Sequence, residues 1–315
     1  MSRSRLSLWE WAILVGLVLA AWGLRVWQPA QVPPGWRDDE LINIHALTGE
    51  VLSGRLTLYF TGASGHEPLY HTLHAGVLAL VGMNPLGGHL LSIASGALTI
   101  PLTYALGRRL FGRPAGLLAA ALLTPSFWSL MYSRIALRHA MLLPFALATL
   151  YGVYRSSLTP HRRLSPVACG LSLAAALYTY TVSRLLPPIL LAFGLYLALV
   201  HRERFRSWWR PLLVTLLVAA ALTAPLWAAI AKGRSEAATE GVGADARIAE
   251  LSIPLRELRA GNPRPFLENV RTTLGMFHAS GDPEWLYNLP GRPVFGPVGA
   301  VLFFAGLALC FWRYR

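Results

Sequence analysis

Three carboxylates, Asp38, Asp39 and Glu40, stand side by side in the stretch GWRDDELINIHA, directly after the first long apolar run. Adjacent acids repel one another, and a carboxylate held against such neighbours suits a general base. The triplet reads equally well as the solvated first turn of a short helix starting near Asp38. It is the only acidic cluster in the short loops of a chain with 15 acidic against 28 basic residues.

Arginines form the second group. Arg134 and Arg138, four apart in YSRIALRH, are expected on one helical face, and Arg184 begins a later apolar run. Guanidinium groups hold phosphate oxygens through planar, charge-assisted hydrogen bonds, so the three could bind a lipid phosphate. Interfacial anchoring by snorkelling is the alternative. His139 follows Arg138 and would bind substrate or a backbone carbonyl. Histidines form the third group. In GHEPLYHTLH, Glu67, His71 and His74 are spaced i, i+4 and i+7, a face that could ligate a divalent metal such as zinc or form a polar interfacial stripe. His66, Glu67 and Tyr180 join Arg134, Arg138, His139 and Arg184 as candidate substrate-binding residues, with Asp39, Glu40 and Asp38 as candidate catalytic acids. No cofactor is fixed by these residues, and a divalent metal is left open. No dinucleotide fingerprint, P-loop, nucleophile elbow or HExxH motif occurs.

The elements that must position these groups are membrane helices. Only 14% of residues are charged, 54% are hydrophobic, and the mean hydropathy is +0.46. A soluble domain is about 25% charged. The net charge of +13 does not suggest nucleic acid, because the arginines lie between apolar runs and not on one basic face. Cys169 and Cys310 lie inside apolar runs, where they imply neither a disulfide framework nor a cysteine zinc site. Eight runs approach span length: 8–27, 86–107, 114–132, 135–154, 166–183, 185–200, 211–231 and 294–312. A shorter run, 69–83, is expected to lie along the interface.

Charge fixes the expected orientation. With the short run left out, one side receives fourteen arginines and, apart from Glu10 within the first span, one acid, Glu203. The other side holds the acidic triplet and Arg37, Arg55, Arg134, Arg138 and Arg184. The positive-inside rule then puts both termini in the cytoplasm and the polar loops outside. The expected division is a transmembrane module over 1–231 with its first external loop at 28–85, a partly flexible external loop at 232–293, and a final span with a cytoplasmic end at 294–315. Within the last loop, PRPFLENVRTTLGMFHASG reads as a helix that Gly281 ends.

These stretches resemble a known family. A first external loop carrying Asp39-Glu40 is followed by HEPLYHTLHAGVLALVGMNPLGGHLLSIASGALTIPLTYALGRRLFGR, SRIALRHAMLLPF and LYTYTVSRLLPP. The order and spacing are similar to polytopic GT-C glycosyltransferases of family 39, which include protein O-mannosyltransferases, aminoarabinose transferases and many bacterial relatives. The resemblance covers roughly residues 8–205. It implies an all-α GT-C fold with external juxtamembrane helices in the first loop, which with the eight runs counted above makes a protein of about eight transmembrane helices, multi-pass in a bacterial plasma membrane. It implies a sugar donor linked to a polyprenyl phosphate, an external active site, and inversion at the sugar. The family's first-loop acid matches Asp39, whose role is to orient or deprotonate the acceptor hydroxyl. Where many members carry a second acid at the start of the fourth span, this chain has Arg138 and His139. Members are usually longer, so the chain is expected to be a fragment or a minimal version.

Expected partners are therefore a polyprenyl-phosphate sugar donor, a protein, lipid or glycan acceptor, and membrane lipid. A non-catalytic transporter or binder of anionic lipid-linked substrates would use the same arginines, but needs a polar path through the bilayer centre. A lipid-linked glycan ligase that moves an oligosaccharide in one step is a further alternative.

Overall fold

The structure, a computed structural model, describes residues 7–63, 65–158, 164–239, 252–285 and 287–313. The described residues are helical, with a single isolated bridge between Phe60 and His66 and no strand. The chain divides into two compact units, Met1–Ala244 and Asp245–Arg315.

The first unit holds α1 (Leu8–Val26), α2 (Asp38–Leu41), a π-helical stretch (Ile42–Leu47), α3 (Thr48–Leu52), α4 (Pro68–Val81), α5 (Pro85–Phe111), α6 (Arg113–Leu123), α7 (Phe127–Ser133), a 3₁₀ turn (Arg138–Met141), α8 (Leu142–Leu158), α9 (Leu164–Leu177), a second 3₁₀ turn (Thr181–Leu185), α10 (Leu186–Val200) and α11 (Arg202–Thr239). Helix α5 is central and packs on α1, α4, α6, α7 and α8, while α9 packs between α8 and α11 and α10 lies on α11. The start of α5 is set by Asn84, whose side chain accepts from the Gly87 N–H, and by Pro85 in the first turn. One core joins Leu14, Ala21, Ile100, Tyr104 and Ala120 of α1, α5 and α6; another joins Val153, Leu173, Leu190 and Leu212 of α8 to α11. Leucines such as Leu19, Leu191, Leu195 and Leu217 point outward instead. In a bilayer they face acyl chains, so their exposure carries no hydrophobic penalty there.

Two buried charges inside α1 fix its ends. Near the start, the Glu10 carboxylate accepts from the Tyr104 hydroxyl (2.7 Å) and pairs with Arg113 (3.3 Å) and Arg108 (3.5 Å). Near the other end, Arg25 donates to Ser133 Oγ and Ser129 Oγ, both at 2.8 Å, and to the Ala21 carbonyl. That close approach depends on Gly96, where an added Cβ would sit 2.3 Å from the Ser133 Cβ. Charges at this depth are costly without partners, and here each is matched by groups from a different helix.

Four helical segments are long and apolar enough to span a membrane: α1, α5, Thr181–Val200 and the Arg202–Gly233 part of α11. The pair α6–α7, bent by 58°, makes a fifth if counted as one span. Eight were expected. The difference lies in runs that include non-helical backbone: residues 134–137 are not helical, and α9 stops at Leu177. Helices α4, α9 and the final helix are apolar but shorter than a full span. The expected boundary at residue 231 falls inside α11, which continues to Thr239 through a stretch that holds one glycine, Gly233, and no proline. Of the stretch expected to be flexible, residues 234–250, the part 234–239 is the end of α11, and 240–250 lies outside the described residues.

The second unit contains α12 (Ile253–Arg259), α13 (Arg264–Gly275) and α14 (Pro297–Arg313). Helix α13 has Pro265 in its first turn, as expected, but ends at Gly275 and not near Gly281. Residues from Met276 form turns instead, and the Gly281 N–H donates to the Gly291 carbonyl. Phe277, Phe295 and Phe303 stack on one another and seat the turn against α14.

Candidate active site

The site is built around the non-helical segment between α7 and the turn at Arg138. Glu40 and Asn43 hold that segment from opposite sides. Glu40 Oε1 accepts from the Ala136 N–H (2.7 Å), and Asn43 donates its amide to the Ala136 carbonyl (2.8 Å). The same Glu40 oxygen contacts His89 Nε2 (3.0 Å), and Oε2 accepts from the Arg37 N–H (3.0 Å). Trp36 stacks on His89 at 4.6 Å. The first loop is thereby clamped onto the start of α5 and onto residues 135–137.

This arrangement separates the acidic triplet. Glu40 is fully buried, and both its oxygens are engaged by groups of the protein itself. Asp38 and Asp39 are exposed. The short helix expected near Asp38 forms as α2, with the three acids in its first turn. The Asp39 carboxylate and the Arg138 guanidinium both act electrostatically on the His139 ring. Of the trio, Asp39 is the acid whose charge is felt at His139.

The arginines also separate. Because α7 ends at Ser133, Arg134 and Arg138 do not share a helical face. Arg134 turns back and donates to the carbonyls of Leu24, Trp27, Gln28 and Val32, closing the end of α1. Its donors are spent on backbone, and it does not join the other two. Arg138 and Arg184 instead meet across Glu67. Arg138 Nη1 donates to Glu67 Oε2 at 2.8 Å, and Arg184 Nη2 to Oε1 at 3.0 Å. Thr181 Oγ1 donates to that same Oε1 at 3.0 Å. The Tyr180 ring lies 5.2 Å from the Arg138 guanidinium, and Trp227 lies 5.3 Å from that of Arg184. His139 packs against Tyr180 and Tyr132, with ring centroids 5.9 and 5.0 Å away. Within this group, Arg184 Nε, Ser183 Oγ and His139 Nε2 are buried with no hydrogen-bond partner. A buried polar atom left unpaired typically costs about 1–3 kcal/mol, which a polar ligand would relieve.

Glu67 reaches the arginines because it precedes α4 in extended backbone (φ −72°, ψ 143°). It is not on the helical face of His71 and His74, as the i, i+4, i+7 spacing suggested. Gly65, two residues earlier, has φ +88°, a left-handed conformation that glycine adopts without strain, and its carbonyl accepts from Arg138 (3.3 Å). His66 and His71 contact each other at 3.2 Å, and His71 and His74 both approach Thr48 Oγ1. Among the described residues, no group of three His, Cys, Asp or Glu side chains is arranged to hold a metal ion. With Glu67 engaged by two arginines, the Glu67–His71–His74 set does not fit a divalent metal.

Burial holds the His71 ring well below its ordinary range, at about 3, with the Arg138 charge adding to the effect; burial likewise takes His74 down to about 4. Both rings lie on α4, outside the four long apolar segments. The unfolded rings take up protons below about 6.5, whereas the folded rings resist until near their depressed values. Stability should therefore fall as pH drops below that point, by about 1.4 kcal/mol per pH unit for each ring. Thermal melting of the detergent-solubilised protein across this window should show the decline, and His74→Gln should flatten it. A melting temperature independent of pH over the window would contradict the assignment.

Sequence reasoning missed Thr181, Trp227 and Asn43, each of which holds part of this site. Thr181 was visible in YTYTVSR as a hydroxyl beside Arg184, but nothing in its spacing pointed to Glu67.

Comparison with known proteins places this helical architecture in the GT-C class of membrane glycosyltransferase folds. A family model described as dolichyl-phosphate-mannose-protein mannosyltransferase matches residues 65–228, and the chain belongs to that family. The fold is similar to that of the Archaeoglobus fulgidus oligosaccharyltransferase. A crystal structure of that protein in complex with zinc and sulfate superposes with a TM-score of 0.55 at 17% identity, covering 96% of this chain and 43% of that one. Its complex with an inhibitory peptide and a dolichol-phosphate gives a TM-score of 0.52 at 16% identity, covering 85% and 39%. This chain thus spans about two fifths of the length of the structures it matches. No curated protein sequence matches it.

Proposed function

We propose that the chain transfers a sugar from a polyprenyl-phosphate-linked donor to an acceptor hydroxyl, with inversion, on the external face of a bacterial plasma membrane. The observation that carries this reading is the Arg138–Glu67–Arg184 bridge beside buried polar atoms that have no hydrogen-bond partner. Family membership supports the donor class, since the family is described by a dolichyl-phosphate-linked sugar.

In the reaction, the acceptor oxygen attacks the anomeric carbon as the bond from that carbon to the phosphate oxygen breaks. Asp39 takes the hydroxyl proton. The bonding electrons leave on the polyprenyl phosphate, where Arg138 and Arg184 stabilise the developing charge. Glu67 holds the two guanidinium groups in register before the donor arrives, so little reorganisation accompanies the step. Tyr180 and His139 wall the space between the phosphate and Asp39. The lipid tail lies between helices and enters from the bilayer. Arg134 is left out of the substrate-binding set because its donors are spent on the end of α1, and His66 serves the His71–Thr48 cluster.

Membranes carrying the full chain, supplied with labelled polyprenyl-phosphate-linked sugar, should incorporate label and release polyprenyl phosphate. Arg138→Gln should lower transfer by about 10²–10³-fold, as for loss of one transition-state donor. Transfer by Arg138→Gln at the wild-type rate would remove the arginine pair from the reaction.

A further inference from the structure

A cavity of about 760 Å³ opens between α8, α9 and the first turns of α11. It lies at the far end of α8 and α9 from the candidate active site: it reaches Ser156 and Pro166, whereas the site is built on Arg138 and Tyr180. Its volume is within the range of small-ligand sites. Arg206 and Arg210 line its rim, one helical turn apart on the same face of α11. Both are exposed, and among the described residues neither pairs with a carboxylate; Glu203, also at the rim, pairs with neither. Arg210 lies over the Trp209 ring at 5.1 Å. The less exposed part of the lining is mostly apolar, with Val167 and Val214 half-buried and Pro211 buried, beside Ser156 and Ser207.

We infer that this cavity binds an anionic phospholipid, with the phosphate on Arg206 and Arg210, Trp209 at headgroup level, and an acyl chain along Val167, Pro211 and Val214. Basic rims over apolar floors between membrane helices suit such headgroups, and indole rings favour the headgroup depth. The polarity gradient of the cavity selects a lipid over a free anion, because a free phosphate would leave the apolar floor unfilled. The inference stands apart from the proposed glycosyl transfer, since the two sites share no residue.

The test uses the full chain in phosphatidylcholine vesicles containing either chain-brominated phosphatidylglycerol or chain-brominated phosphatidylcholine. The Trp209 signal is the difference in emission between wild type and Trp209→Phe. Quenching should favour the anionic lipid by about tenfold or more, given two surface arginines. In Arg206→Gln/Arg210→Gln the preference should fall to parity. Val167→Phe, which fills the floor, keeps both arginines and adds no indole, should lose quenching by both lipids. Equal quenching by the two lipids in the wild type, or a preference that survives loss of both arginines, would overturn the site. Relief of quenching by inorganic phosphate would overturn the lipid assignment in favour of a free phosphate.

Discussion

Asp39→Asn should lower sugar transfer by about 10²–10⁴-fold, the usual contribution of a positioned general base. Asp39 is exposed, and the clamp on the first loop is built by Trp36, Glu40 and Asn43, so the variant should fold and melt like the wild type. Donor binding should be little changed, because the phosphate contacts belong to Arg138 and Arg184. The neighbouring acids provide internal controls. Asp38→Asn, equally exposed, should transfer at close to the wild-type rate. Glu40→Gln should lose stability first, since it weakens the contacts to His89 and Arg37 that close the first loop. Kinetics and melting measured on all three variants separate a proton acceptor from a positioning group. Wild-type turnover by Asp39→Asn would remove Asp39 from the chemistry.

Glu67→Gln should have the largest effect on stability. Glu67 is fully buried between two guanidinium groups, and breaking a buried ion pair from one side costs about 3–5 kcal/mol. The variant leaves Arg138 and Arg184 facing each other without a counter-charge, so both the melting temperature and donor use should fall. A second substitution distinguishes charge balance from simple damage. Glu67→Gln/Arg184→Gln removes one positive charge along with the negative one and should recover much of the melting temperature, with transfer still low. That recovery is a coupling energy in a double-mutant cycle. Additive losses in the double variant would show that Glu67 is not the shared counter-ion.

The sequence made the membrane class legible, because apolar runs and scarce charge need no tertiary information. The grouping of GHEPLYH, IALRHAM and YTYTVSR near the acidic loop was also legible: Arg138, His139, Tyr180, Arg184 and Glu67 do meet. What could not be read was the backbone between helices. Arg134 and Arg138 look like an i, i+4 pair, but residues 134–137 are non-helical because Glu40 and Asn43, about a hundred positions earlier, take the hydrogen bonds of Ala136. Glu67 looked like the first member of a histidine face because the start of α4 lies one residue after it. The acidic trio looked uniform because burial, which makes Glu40 a clamp and leaves Asp39 exposed, is a property of the packed loop. The number of spans was hard to read for the same reason, since apolar runs continue through turns that helices do not.

The most direct measurement is a cryo-electron-microscopy map of the full chain with polyprenyl phosphate. The phosphate is expected within hydrogen-bond reach of both Arg138 and Arg184, with Asp39 across the space that the sugar would fill. A phosphate seated only on Arg206 and Arg210, with the Arg138–Glu67–Arg184 bridge untouched, would contradict the assignment of the active site.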